Sequence, residues 1–193
     1  MILAGMVNAL VAGWFLAWLA RLRGFVALLP AGALWVLALL FPALSPAAVT
    51  ALVAGTESFS IVAGGLALIA LAGRTSGSER LHRTELVAVA LTILVAGGLV
   101  YGSHVGWLPL EGLYGAGFGD FRLSTVLLLL ALMAWVVRAW WSCVLLAGAQ
   151  CVFGLQWLPA TNLWDYLLDP FLVSWALVFL VATAFRMMVQ RQG

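Results

Sequence analysis

The sequence predicts an all-α fold: one polytopic integral membrane bundle of seven transmembrane helices over residues 1–193, with no soluble domain. Three observations carry this expectation. Hydrophobic residues make up 65% of the chain and charged residues 8%, whereas a soluble domain is roughly 45–50% apolar and about 25% charged. That much apolar surface exceeds what a soluble core of this size can hide. Seven apolar runs can be drawn, and about 20 residues of helix cross a bilayer with every backbone polar group satisfied internally. Finally, all nine basic residues are arginines, and eight of them fall in alternate gaps between the apolar runs.

The runs cover 2–20, 25–43, 47–73, 85–102, 123–139, 140–157 and 169–188. The first is read as a retained helix and not a cleavable signal, because Arg21 and Arg23 follow its apolar stretch instead of preceding it. In the second gap, Pro42 and Pro46 stop one helix and start the next. The third gap is polar from Arg74 to Arg83, and Thr84 is the expected N-cap of the following helix. The fourth, Ser103 to Leu123, alternates glycines with aromatics. The fifth is only Arg138-Ala139-Trp140-Trp141, so residues 123–157 read either as two spans or as one span plus a re-entrant piece, which would leave six spans. The sixth, Leu158 to Asp169, ends at Pro170.

Gaps one, three and five and the C-terminal end hold Arg21, Arg23, Arg74, Arg80, Arg83, Arg138, Arg186 and Arg191, while the other gaps hold Arg122 alone. The positive-inside rule then puts the N-terminus outside and the C-terminus in the cytoplasm. Seven spans keep this charge parity and six break it. An arginine-only basic set with abundant Ala, Gly, Leu and Val fits a high-GC bacterial genome, so the expected location is the bacterial inner membrane.

Glu57 is the sharpest site candidate. It lies about ten residues inside the third run, among Thr56, Ser58 and Ser60. An acid near the midplane costs about 2.5–3.5 kcal/mol on insertion scales and so faces a protein interior or a water-filled cavity. It reads either as a proton or cation site or as a protonated group hydrogen-bonded to its neighbours. Asn8 and Gln150, also inside runs, are its candidate partners or, alone, interhelical glue.

The outer gaps hold the second set. In the fourth, Trp107, Tyr114 and Phe118 suit headgroup depth, as an interfacial anchor or a lip for a lipid, a quinone or a partner helix. In the sixth, Asn162 followed by Asp165 reads as an N-cap with an acid in the first turn of a short helix. Asp165 and Asp169, four apart, would share a face of that helix. With Glu111, Asp120 and His104 they would form an outer-face acidic site suited to two-carboxylate chemistry or a divalent cation, unless capping and turn chemistry account for them. Arg122 is the basic residue available to pair with Asp120, Asp165 or Asp169. The two loops are therefore expected to pack as one cap, with Trp164 against Trp107, Tyr114 or Phe118.

Many activities are excluded. With no lysine there is no retinal Schiff base; His82 and His104 are not placed for a bis-histidine haem; there is no HExxH, no GxSxG with a partner histidine and no phosphate loop. Cys143 and Cys151 would sit about 12 Å apart on one helix, too far for a disulfide. No cofactor, metal or nucleic acid is expected. Arg138 with Trp135, Trp140 and Trp141 marks the inner interface, and Arg74, Arg80, Arg83 and His82 form a small basic loop that reads as the ordinary inside signal or, alternatively, as a contact to anionic headgroups. Three functional classes remain. The leading expectation is an accessory, assembly or scaffold subunit, whose partners are membrane lipids and other integral subunits or a second copy. The others are a proton- or ion-coupled carrier using Glu57 and a lipid-modifying enzyme using the outer-face acids.

Overall fold

The computed structural model describes residues 2–40, 59–76, 83–110, 112–119 and 121–190, and all the regular structure among them is helical. Eight α-helices follow in order: α1 (Ile2–Leu19), α2 (Leu29–Leu40), α3 (Ile61–Ser76), α4 (Arg83–His104), α5 (Phe121–Val136), α6 (Trp140–Gly154), the short α7 (Leu163–Leu167) and α8 (Pro170–Gln190). A 3-10 turn at Gly24–Leu28 leads into α2, and another at Gly115–Gly117 lies before α5. Two of the described helices, α4 with 22 residues and α8 with 21, are long and apolar enough to cross a membrane. The remaining apolar helices are shorter; α5, at 16 residues, reaches about 24 Å at 1.5 Å per residue.

Most boundaries follow the hydropathy of the chain, and three depart from it. The third run does not continue as helix through its centre: Phe59 and Ser60 are non-helical and α3 starts at Ile61. Ser60 is the reason, since its hydroxyl accepts the Ala63 N–H at 3.1 Å and so caps α3. Thr84 is not an N-cap, because α4 already includes Arg83. Asp165 and Asp169 do not share a helix face. The short helix α7 ends at Leu167, and Leu168 is extended at φ −130° and ψ 142°.

Left-handed residues close several helices. Arg21, Arg138 and Gln156 have φ of 54°, 63° and 51°. Each sits just past a helix whose final carbonyls are bonded back by the next two N–H groups, as in Leu22 N–H to the Ala17 carbonyl at 2.9 Å and Ala139 N–H to the Ala134 carbonyl at 2.8 Å. A non-glycine residue in this conformation costs roughly 1–2 kcal/mol. At Arg21 and Arg138 the cation beside the carbonyl end of a helix offsets part of that cost. The turn at Arg138 separates α5 from α6, and the Trp135 and Trp140 rings cross it edge to face at 5.1 Å.

Helices pack through small residues. Gly13 of α1 lies directly against the backbone of Ala31 in α2, and Ala17 and Ala27 are fully buried in the same seam. α1 therefore meets α2 and the 3-10 turn before it through Gly13-x3-Ala17 on one side and Ala27 of the turn with Ala31 of α2 on the other, small residues that let the two backbones approach closely. Elsewhere Gly97 of α4 seats Val173 of α8, and Gly64 of α3 meets Val7 of α1. The main core runs from Val7 and Val11 through Phe59, Leu66, Leu145 and Ala149 to Leu163, Tyr166 and Leu172. The outward surface is apolar along whole helices, as at Leu128, Leu129, Leu132 and Met133 on α5 and Val178, Val181 and Phe185 on α8.

Candidate functional site

The break before α3 is the polar centre of the bundle. Phe59 and Ser60 are buried, so their backbone N–H groups need protein partners. Asn8 of α1, 1% exposed, accepts the Phe59 N–H on Oδ1 at 2.9 Å. Asp169, also 1% exposed, accepts the Ser60 N–H on Oδ2 at 2.9 Å. Its Oδ1 accepts the Leu172 N–H at 2.7 Å, the N-cap bond of α8. Pro170 at the first helical position holds the chain before it extended and frees Asp169 for this role. One carboxyl thus ends one helix start and ties it to another, which is the buried satisfaction that irregular backbone inside a bundle requires.

The segments before α5 and before α8 pack together as a cap around α7. Asn162 is the N-cap expected from its position: Oδ1 accepts the Trp164 N–H at 3.0 Å, and Nδ2 donates to the Tyr114 carbonyl at 3.1 Å. The Trp164 indole Nε1 donates to the Leu113 carbonyl at 2.8 Å. Gly117 lies beneath Asn162 and Trp164, where a Cβ would overlap both. Behind them Tyr166 is fully buried. Its hydroxyl accepts the Leu158 N–H at 3.2 Å and faces the carbonyls of Leu158 and Ala160 at 3.1 Å. Its ring packs edge to face on Phe153 at 5.2 Å. The cap is held by Trp164 on Leu113 and Gly117 and by Tyr114 on Asn162 and Asp165, while Trp107 projects outward at 83% exposure.

Tyr114 also donates its hydroxyl to Asp165 at 3.3 Å and packs against the His104 ring at 4.9 Å. Burial pushes the Asp165 carboxyl above its ordinary range, and the Tyr114 hydroxyl pulls it partly back. With the folded pKa raised, this group stabilises the fold fully below its unfolded pKa, and that contribution is lost as pH rises through the folded value. Asp165→Asn keeps the acceptor for Tyr114 and removes the charge. We expect its thermal midpoint in mild detergent to equal or exceed that of the wild type at about pH 7 and to converge on it near about pH 4. A midpoint well below the wild type at neutral pH would show that the ionised carboxylate is what the fold uses.

The remaining sequence candidates scatter. Gln150, with its amide oriented by its surroundings, donates to the Ser124 carbonyl at 3.1 Å and hydroxyl at 3.2 Å, joining α6 to α5. Gln150 thus bonds helix to helix, whereas Asn8 ties α1 to the non-helical backbone before α3. Arg122 is exposed at the start of α5. Glu57, Glu111 and Asp120 lie outside the described residues, and with them one of the expected partners of Arg122. Among the described residues, no group of three or more His, Cys, Asp or Glu could hold a metal ion.

Three polar features escaped the sequence reading. Ser60, read only as a polar neighbour of Glu57, caps α3, a role that its place just before an apolar run signals. Glu85 of α4 accepts from the Ser142 N–H at 3.3 Å and its hydroxyl at 3.2 Å, capping the first turn of α6. Arg74 of α3 donates to the Leu22 carbonyl at 3.0 Å and the Ala17 carbonyl at 3.4 Å, at the carbonyl end of α1. No protein-family model matches the chain, and neither a curated protein nor a solved structure matches it.

Proposed function

We propose that this chain is a seven-span protein of the bacterial inner membrane, with its N-terminus outside and its C-terminus in the cytoplasm. In this reading it serves as an accessory, assembly or scaffold subunit of a membrane complex. One observation carries the reading. Four buried polar side chains, Asn8, Ser60, Asn162 and Asp169, bond the bundle's own backbone, while entire helix faces turn apolar side chains outward. Such a molecule is equipped to contact lipid and other helices. The arginine count supplies the orientation. The lipid-modifying alternative loses one of its acids, since both oxygens of Asp169 accept backbone N–H groups. The carrier alternative draws on Glu57, which precedes the non-helical Phe59 and Ser60 by two and three residues in the sequence.

Reporter fusions combined with affinity purification from native membrane test the proposal. We expect fusions at the C-terminus and within 77–82 to report the cytoplasm, and a stoichiometric integral-membrane partner or a second copy to be recovered. A C-terminus reported outside would overturn the orientation. Recovery as a lone chain whose Glu57→Gln variant loses a proton-coupled solute flux would overturn the accessory role in favour of the carrier.

A further inference from the structure

A groove of about 1120 Å³ opens between the α1–α3 pair and the α4–α8 pair. Its two ends differ in chemistry. One end gathers Arg21, Arg23, Arg74, Arg83 and Arg186. These come from the C-terminal ends of α1, α3 and α8 and the N-terminal end of α4, so four separate chain segments deliver guanidinium groups to one mouth. Among the described residues that line the groove there is no Asp or Glu. Glu85, the acid nearest Arg83 among the described residues, turns its carboxyl to Ser142 on α6. Arg74 is anchored through Nη1 by the Ala17 carbonyl of α1 and the Leu22 carbonyl just past it, and its guanidinium lines the mouth.

The rest of the groove is apolar and aromatic. Trp14 and Trp18 stand on the α1 side, and Phe171, Trp175 and Phe179 on the α8 side. The Trp175 and Phe179 rings stack at 5.5 Å. From Phe171 to Arg186 the wall of α8 runs fifteen residues, or about 22 Å, against a hydrocarbon core of about 30 Å. The dimensions exceed those of a site for a free anion.

We propose that this groove binds an anionic glycerophospholipid of the cytoplasmic leaflet, its phosphate among the arginines and its acyl chains along the aromatic wall. The inference rests on the membrane-spanning reading above. Charge complementarity selects the headgroup: five arginines converge on one mouth and favour phosphate oxygens, which guanidinium groups bind through paired N–H donors. The apolar wall selects a lipid over a soluble phosphate. The positive-inside rule puts the mouth on the side where this lipid is supplied.

Native mass spectrometry of the full chain, purified from membranes in mild detergent and titrated with lipids of identical acyl chains, tests the proposal. We expect phosphatidylglycerol to bind at least tenfold more tightly than phosphatidylcholine. Each arginine near the headgroup contributes about fivefold in affinity, so the paired variant Arg23→Gln, Arg186→Gln should lose about 20–30-fold for phosphatidylglycerol and little for phosphatidylcholine. Both positions are exposed, so the fold tolerates the change. Arg138→Gln, away from the groove, should bind like the wild type, and glycerol phosphate without acyl chains should not displace the lipid. Equal affinity for the two lipids, an unaffected paired variant, or displacement by glycerol phosphate would each overturn the proposal. A chain absent from the membrane fraction would overturn the membrane reading itself.

Discussion

Asp169→Ala should lower the stability of the bundle by about 1.5–5 kcal/mol. Two losses combine. Removing the N-cap of α8 costs about 0.5–2 kcal/mol. Leaving the buried Ser60 N–H without an acceptor costs about 1–3 kcal/mol more, because Ser60 is fully buried and its N–H points at Asp169 Oδ2. Asp169→Ser separates the two terms: its hydroxyl can still cap α8 but is too short to serve Ser60 as well. The midpoint of thermal unfolding, followed by tryptophan fluorescence in mild detergent, should therefore rank wild type above Asp169→Ser above Asp169→Ala. Ser60→Ala, which loses only the bond from the Ala63 N–H, should cost about 1 kcal/mol. An Asp169→Ala variant as stable as the wild type would show that the carboxyl is held for chemistry and not for the fold.

Gly13→Leu should separate α1 from α2. A side chain at this position overlaps the backbone of Ala31, which cannot rotate away as a flexible side-chain tip would. Overpacking typically costs about 1–3 kcal/mol, and a leucine against backbone belongs at the upper end or beyond. Even Gly13→Ala should be destabilising. Gly98→Ala is the matched control: Gly98 is exposed on α4 and its Cβ position has nothing within 4 Å among the described residues. There the gain in helix propensity, about 0.5–1 kcal/mol, should stand alone. Opposite signs for the two alanine substitutions are the expected result, and equal signs would show that the close α1–α2 seam does not set the packing.

Much of the helix map was legible in the chain because its causes are local. A run such as 2–20 or 169–188 has to bury or immerse its apolar side chains and close its own backbone bonds, and the helices Ile2–Leu19 and Pro170–Gln190 follow. The cap at Asn162 was readable for the same reason, since a side-chain acceptor two residues before an N–H is a property of a few neighbouring positions. The separation of α5 from α6 at Arg138 was visible in charge, though the left-handed turn that makes it is carried by an arginine instead of the glycine that would have announced it.

The sequence by itself determined the all-helical class, the positions of most helices and which gaps carry positive charge, because hydropathy, capping and charge act over a turn or two of chain. Tertiary structure alone decided which polar groups meet. Asn8 reaches Phe59 across 51 positions and Asp169 reaches Ser60 across 109, pairings with no local trace. The grouping of Asp165 with Asp169 failed because the extended Leu168 turns Asp169 away from α7 to cap α8 and serve Ser60. The eight arginines read from the sequence as a statement of orientation. Only the placing of α1 and α3 across a groove from α4 and α8 gathers five of them at one mouth above an aromatic wall, because a groove is a property of the space between helices, and no single helix contains it.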